Sequence, residues 1–126
     1  MIKLVYCVCR RSDVSAEAFY DYWLNTHGPK VRGVAEAIGA VRYVQSHTIL
    51  PELNQTFQDG RGLDSPYDGI TEVWFESLEA MQAASGSKDG LDAAHLLVED
   101  ESRFIDFAKS SVFMTEEHEI FDLRAD

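Results

Sequence analysis

Extended and helical segments alternate along this chain in an order that predicts an α+β fold, with one four-stranded antiparallel sheet and helices on one of its faces. The first observation is the composition of residues 2–9, whose β-branched and aromatic side chains favour a strand. The second is the helical spacing of the aromatic segment that follows, at Phe19, Tyr22, Trp23 and Thr26. The third is the element order, β-α-β-β-α-β, which is that of the ferredoxin-like fold. The length of 126 residues fits one domain over residues 1–126.

Capping residues mark the helix boundaries in the first half of the chain. Ser15 is a favourable N-cap for the first helix, and Gly28 is expected to end that helix. Pro29 suits the first turn of a second helix, which is expected to end at Gly39. The apolar stripe of this second helix is predicted to be Val31, Val34 and Ile38.

Two further strands are predicted in the middle of the chain, over residues 41–49 and 69–75. Residues 50–68 separate them and are expected to form a long loop, because they contain several Pro, Asn and Gly residues. Loops of this length in small domains are often functional lids. Ser77 then predicts the start of a helix that continues to Ala84.

A longer helix is predicted after a Ser- and Gly-rich break at residues 85–90. Its side toward the core is expected to carry Leu91, Ala94, Leu97, Val98, Phe104 and Ile105. Residues 112–114 and 116–123 are expected to be extended, and the second of these segments is predicted to be the fourth strand.

One face of the predicted sheet is left uncovered by the helices. Strand alternation assigns apolar and aromatic residues to that face, namely Leu4, Tyr6, Val8, Tyr43, Trp74 and Ile120. A patch of this size is typical of an interaction surface. The sequence therefore predicts a homodimer that packs these faces together and encloses a cavity between its two sheets.

Composition limits the classes of partner. The formal net charge is -11, so neither nucleic acid nor an anionic membrane surface is an expected partner, because both are bound mainly through Lys and Arg. An uncharged hydrophobic small molecule fits this charge better. Cys7 and Cys9 are the only cysteines, and they are expected to be buried free thiols in a protein of the reducing cytoplasm.

Six segments occur in an order that is typical of one family: the opening strand with Arg10 and Arg11, then residues 19–29, 42–47, 67–75, 100–106 and 115–118. With these motifs the chain resembles the EthD family of the dimeric α+β barrel superfamily. The resemblance implies a ferredoxin-like protomer that dimerises through its sheet. It also implies relatives that act as dehydratases or decarboxylases on aromatic polyketides, as cofactor-free monooxygenases, as lactone isomerases or as haem-dependent enzymes.

Two histidines are the candidate general bases. His27 lies one helical turn from Trp23, and it is either a helix-terminal imidazole bonded to a nearby carbonyl or an acid/base group at a pocket rim. His47 is either a buried imidazole bonded to the backbone or a pocket base. Tyr43 is the candidate oxyanion donor. Glu72 either orients one of the histidines or forms a salt bridge with an arginine.

The remaining candidates are residues expected to bind the substrate, namely Tyr6, Tyr22, Trp23, Gln45, Trp74 and His118. For Trp23 the alternative is core packing, and for His118 it is a solvated position after two glutamates. His95 is expected to be a surface or packing histidine. No metal-binding or phosphate-binding motif is present, so no cofactor is expected.

These residues support three hypotheses about function. The first is a cofactor-independent acid/base enzyme of the dehydratase, decarboxylase or isomerase type, acting on a hydrophobic aromatic or polyketide-like molecule. The second is a cofactorless monooxygenase, in which the enolate of the substrate reacts with oxygen. The third is a binding protein that carries a hydrophobic molecule without changing it.

Overall fold

The computed structural model describes residues 1–124, which form one antiparallel sheet with helices packed on one face. The strands are β1 (Ile2–Val8), β2 (Arg42–His47), β3 (Gly69–Phe75) and β4 (Ser111–Thr115), in the spatial order β2-β3-β1-β4. The helices are α1 (Ala16–Tyr22), α2 (Gly28–Ile38), α3 (Pro51–Arg61), α4 (Leu78–Ser85) and α5 (Lys88–Glu101). A π-helical turn (Trp23–His27) joins α1 to α2, and a short 3₁₀ helix (Phe107–Lys109) precedes β4. The predicted α+β, ferredoxin-like class is confirmed.

Strand register shows which residues share a face of the sheet. Leu4 pairs with Val73, and Val73 pairs with Tyr43, so these three side chains project to the same side. This is the side that the helices cover, because Val8 has the same parity as Leu4 and belongs to the core cluster with Trp23. The assignment of Leu4, Tyr6, Val8 and Tyr43 to the uncovered face is therefore wrong.

Trp74 alone among the strand residues of that assignment lies on the uncovered face, where it pairs with Lys3 and Arg42. The physical reason for the error is the two-residue period of a strand, since a shift of one residue exchanges the two faces. β1 carries apolar side chains on both faces, among them Val5 and Cys7, so its alternation does not indicate which face the helices cover.

The capping predictions are confirmed where they concern helix starts. The Ser15 hydroxyl accepts a hydrogen bond from the backbone of Ala18, and the Ser77 hydroxyl accepts one from Ala80. Gly39 ends α2 with a φ of 75°, a left-handed conformation that glycine adopts without strain. Gly28 does not end a helix, because the chain continues through the π-helical turn into α2.

Three predicted elements differ from the structure. The expected loop at residues 50–68 contains α3, whose Pro51 and Gly62 are helix-start and helix-end residues rather than loop residues. The fourth strand is β4 and not residues 116–123, where Ile120 is 86% exposed. Residue Asp100 is 3% exposed, so the buried side of α5 differs from the predicted one.

On α5 the predicted core residues Leu91, Ala94 and Val98 are exposed, whereas Gly90 and Ala93 are buried. Phe104 and Ile105 are buried as predicted, but they follow the helix. No helix within residues 1–124 has the length and apolar character needed to cross a bilayer. Both cysteines are free thiols, and Cys7 is buried while Cys9 is partly buried.

Candidate active site

A mostly apolar cavity of about 440 Å³ lies between the helix-covered face of the sheet and the helices of one protomer, and it is open to solvent beside the exposed residues Val98, Phe107 and Val112. Its sheet wall is made by Leu4, Tyr6, Tyr43, Thr71, Val73, Phe75 and Val112. Its opposite wall is made by helical residues and by Ile105, which follows α5, namely Trp23, His27, Val31, Ile38, Leu97, Val98, Glu101, Ile105 and Phe107. The sequence predicted a cavity between the sheets of two protomers, which stays a prediction, whereas this cavity lies between a single sheet and its own helices.

His27 lines this cavity from the end of the π-helical turn and is 5% exposed. Its Nδ1 lies 2.7 Å from Oδ2 of Asp100. A carboxylate only accepts hydrogen bonds, so Nδ1 carries the hydrogen and Nε2 keeps its lone pair. Nε2 has no hydrogen-bond partner within residues 1–124, and it is therefore available to a molecule in the cavity.

The π-helical turn itself is closed by a hydrogen bond from the backbone N–H of Gly28 to the carbonyl of Trp23. Such turns hold one residue more than an α-helical turn and are frequent at functional sites. The His27 ring at the end of this turn packs edge-on against Phe104, with centroids 5.1 Å apart.

The Asp100 carboxylate accepts hydrogen bonds from three side chains. Besides His27, it accepts hydrogen bonds from the Tyr22 hydroxyl and from Nζ of Lys30, the latter at 2.7 Å. Burial alone would raise the pKa of this carboxyl, but the bonds from Lys30, Tyr22 and His27 outweigh burial and lower its pKa to about 2. Asp100 is therefore an anion at neutral pH, and it fixes the tautomer of His27.

Burial lowers the pKa of His27, and the positive charge of Lys30 adds to this effect, while the bond to Asp100 opposes it. The net direction is downward, so the imidazole is neutral at physiological pH. A neutral imidazole with a free Nε2 lone pair is a proton acceptor. The arrangement is that of a general base with an orienting carboxylate.

Glu101 lines the cavity, whereas Asp100 binds His27 without lining it, and sequence reasoning missed both acidic residues. Burial raises the pKa of Glu101 to about 7, the nearby Tyr6 hydroxyl opposes this, and the negative charge of Asp100 adds to it. Burial and the neighbouring Glu101 also raise the pKa of Tyr6. One sequence pattern indicates the burial of Asp100: it shares a face of α5 with the small residues Gly90 and Ala93.

A chain of hydrogen bonds links three residues of β2 at one end of the cavity. Nε2 of His47 lies 2.8 Å from Oε1 of Gln45 and donates to it, since a carbonyl oxygen only accepts. Nε2 of Gln45 donates to the Trp23 carbonyl at 2.8 Å and to the Tyr43 hydroxyl at 2.9 Å. The Tyr43 hydroxyl therefore keeps its own hydrogen for another acceptor.

His47 also stacks on the Trp23 ring, with centroids 4.5 Å apart, and on Tyr20 at 5.2 Å. Burial lowers its pKa. Neither His47 nor Gln45 is among the residues that line the cavity. Their contacts hold Trp23 and Tyr43 in place, which gives both residues a positioning role rather than contact with a ligand.

Three candidates from the sequence lie away from the cavity. Glu72 lies on the uncovered face and binds Nζ of Lys3 at 2.6 Å, so it orients neither histidine of its own chain. Trp74 lies beside it and donates a hydrogen bond to Glu117. The His118 side chain is 76% exposed and lies 3.3 Å from Glu116.

Tyr22 likewise acts through its hydroxyl on Asp100 and does not line the cavity. The cavity therefore brings together His27, Tyr43, Tyr6 and Trp23 from the predicted set and adds Glu101. Within residues 1–124, no three His, Cys, Asp or Glu side chains are grouped so that they could hold a metal ion.

Comparison with known proteins gives one curated relative and several similar folds. A conidial pigment biosynthesis dehydratase, EthD, of Metarhizium robertsii is 26% identical over 115 residues, which cover 89% of this chain and 79% of the relative. An EthD family protein of Bacillus halodurans has a similar structure, with a TM-score of 0.62, 18% identity and coverage of 94% of this chain and 99% of its own.

SnoaB, a cofactor-independent oxygenase of Streptomyces nogalater, also shares the fold, with a TM-score of 0.53, 11% identity and coverage of 94% of this chain and 93% of its own. At these identities the structural likeness concerns the fold. The model of the EthD domain matches residues 11–108, which is most of the sequence. The chain belongs to the EthD domain family.

Proposed function

We propose that this protein is a cofactor-independent acid/base enzyme that acts on an uncharged, hydrophobic aromatic or polyketide-like molecule. The observation that carries the proposal is the geometry of His27, whose Nε2 faces an apolar cavity while Asp100 holds its Nδ1. A dehydratase, decarboxylase or isomerase needs such a base together with a donor for the enolate oxygen. The curated relative, which is named as a dehydratase, supports elimination of water as the first choice.

The proposed first step is removal of a proton from the carbon next to a substrate carbonyl by Nε2 of His27. The electrons of the C–H bond form a carbon–carbon double bond, and the carbonyl electrons move onto oxygen. In elimination, the enolate oxygen re-forms the carbonyl and the electrons of the enolate double bond form a new double bond to the next carbon. The hydroxyl on that carbon leaves with the electrons of its C–O bond and takes the proton from the imidazolium, which gives water and an enone. Asp100 stabilises the imidazolium between the two steps.

Exchange of the α-hydrogens of α-tetralone in deuterated water tests this step, because this aromatic ketone carries acidic hydrogens and no leaving group. Replacing His27 with Gln should slow the protein-catalysed exchange by at least about 100-fold, the usual contribution of one general base. Deuterium incorporation is followed by mass spectrometry. His95→Gln is the matched control, since His95 lies exposed on α5. This variant should catalyse the exchange at the rate of the unmodified protein.

Equal exchange rates in the unmodified protein and the His27→Gln variant would contradict the proposal. Oxygen consumption in proportion to product, measured with a convertible substrate, would instead favour the second candidate, a cofactorless monooxygenase. That candidate is supported by the fold shared with SnoaB and uses the same enolate.

We also propose that the protein is a homodimer formed through the uncovered face of the sheet. This face exposes Ile70 and Phe113, at 37% and 48%. Phe113→Lys should convert the dimer into a monomer, because a lysine at this position carries an unpaired charge into the interface. Sedimentation velocity measures the oligomeric state. Leu91→Lys on α5 is the control and should leave the dimer intact. A monomeric unmodified protein, or a dimeric Phe113→Lys variant, would contradict this interface.

A further inference from the structure

We infer that Tyr6 and Glu101 together form an oxyanion site, which binds the carbonyl oxygen of an uncharged substrate through two hydrogen-bond donors. The inference rests on the proposed acid/base function and names the partners of the enolate that His27 would create. It also names the class of substrate, an aromatic or polycyclic ketone without charge at its reacting end.

The geometry comes from two walls of the same cavity. Tyr6 projects into the cavity from β1, and Glu101 projects into it from the last turn of α5. Glu101 directly follows Asp100, so the turn of α5 that holds the His27 imidazole also places the Glu101 carboxyl. A ligand oxygen bound by Tyr6 and Glu101 therefore lies in the same cavity that His27 lines.

Glu101 is a donor only while it is protonated. Burial raises its pKa to about 7, and the groups that face it are Tyr6 of β1, Tyr43 of β2, Asp100 of its own helix and His27 beyond Asp100. Of these, Asp100 is an anion, and its charge favours the protonated form of Glu101. A carboxylic acid kept neutral in an apolar site beside a tyrosine is a known way to stabilise an enolate oxygen.

The same electrostatics select the ligand. Asp100 is anionic and lies next to Glu101 in the chain, so a ligand with a carboxylate at this end would meet like charge. Around these polar groups the wall is apolar, with Leu4, Val73 and Leu97 among its residues. A planar hydrophobic ketone therefore fits both the walls and the donors.

Binding of α-tetralone as a function of pH tests the inference. The ketone oxygen only accepts hydrogen bonds, so ionisation of Glu101 removes one donor and places a negative charge next to the oxygen. The affinity of the unmodified protein should fall by at least about tenfold between pH 6 and pH 8.5, since binding that requires a proton on a group of pKa about 7 loses about tenfold per pH unit above that value. Isothermal titration calorimetry measures this fall.

Glu101→Gln keeps a donor that does not ionise, so its affinity should stay constant over the same range and exceed that of the unmodified protein at pH 8.5. Tyr6→Phe should weaken binding by about three- to tenfold, the contribution of one neutral hydrogen bond. Glu99→Gln is the matched control, because Glu99 is exposed on the same turn of α5 and should preserve the pH dependence. Tetralin, which has the same rings without the carbonyl, should bind equally at both pH values.

Two results would overturn the oxyanion site: a pH-independent affinity in the unmodified protein, or a Glu101→Gln variant that keeps the fall. A different result would contradict the proposed function. If α-hydrogen exchange does not depend on His27 while ketone binding still falls with pH in the predicted way, proton abstraction is wrong and the carbonyl-binding site stands.

Discussion

Replacing Asp100 with Ala is expected to lower the free energy of unfolding by about 3 kcal/mol, the scale on which loss of one partner disrupts a buried ionic network. The substitution leaves three donors without their acceptor, namely the Tyr22 hydroxyl, the Lys30 ammonium and Nδ1 of His27. Lys30 is 39% exposed and can turn to water, whereas His27 is buried. Urea unfolding measures the loss.

The charge of Asp100 also sets the pH range of this stabilisation. Its pKa is lower in the folded protein, at about 2, than in the unfolded chain, so the stabilisation is complete above the unfolded value of about 4 and is lost as the pH falls toward 2. The difference between the unmodified protein and Asp100→Ala should therefore shrink in acid. Glu99→Ala is the control and should change stability by less than about 0.5 kcal/mol. A difference that persists unchanged at pH 2 would contradict the role of the carboxylate.

Asp100→Asn separates orientation from stability, since the amide has nearly the same shape. Its NH₂ group can face Nδ1 and favour the other tautomer, in which Nε2 carries the hydrogen and no longer accepts a proton. The rate of α-tetralone exchange should then fall by about 10- to 100-fold, the usual cost of losing an orienting partner. Unchanged exchange would show that Asp100 has only a structural role.

Gly69→Ala is the second substitution with a large expected effect, about 3 kcal/mol of destabilisation from overpacking. A Cβ at Gly69 would lie 2.5 Å from Cζ3 of Trp23 and 2.6 Å from the carbonyl oxygen of Ser46. The Ser46 atom belongs to the backbone of the neighbouring strand, so relief requires movement of that backbone as well as of the Trp23 ring. That movement would also disturb the π-helical turn that carries His27.

Gly60→Ala provides the matched control, because a Cβ built at Gly60 on α3 has no atom within 4 Å other than those of its chain neighbours and its own helix backbone. In a helix this change should be neutral or stabilise the protein by up to about 1 kcal/mol. Urea unfolding of both variants measures the contrast. A Gly69→Ala variant as stable as Gly60→Ala would show that Trp23 is not packed against the strand as described.

The elements that sequence reasoning predicted well are those in which local signals agree with packing. β3 was predicted with its observed ends, Gly69 and Phe75, because alternating residues stand between turn-forming neighbours. The N-cap predictions for Ser15 and Ser77 were correct because an N-cap forms a hydrogen bond with a residue close in the sequence. α3 was missed because a proline and a glycine mark the two ends of a helix as well as they mark a loop.

The candidate site was predicted in part for the same reason. His27 follows from its spacing and from the motif around it, and the cavity does contain it. Glu72 was placed near the histidines only because the parity of its strand was unknown, and it lies on the other face. Asp100 and Glu101 resemble a solvated acidic helix end in the sequence. The spacing of the buried residues of α5 points to Asp100 alone, whereas the partly buried Glu101 reaches the cavity through contacts with other elements that no local pattern contains.

A crystal structure of the protein with bound α-tetralone tests the central claim most directly. That claim is that the reaction takes place inside one protomer, between the sheet and its own helices. The account predicts the ketone in the cavity, with its oxygen within hydrogen-bond distance of Tyr6 and Glu101 and its α-carbon next to Nε2 of His27. A ketone bound at the uncovered face beside Glu72 and Trp74, with no ketone next to His27, would contradict it.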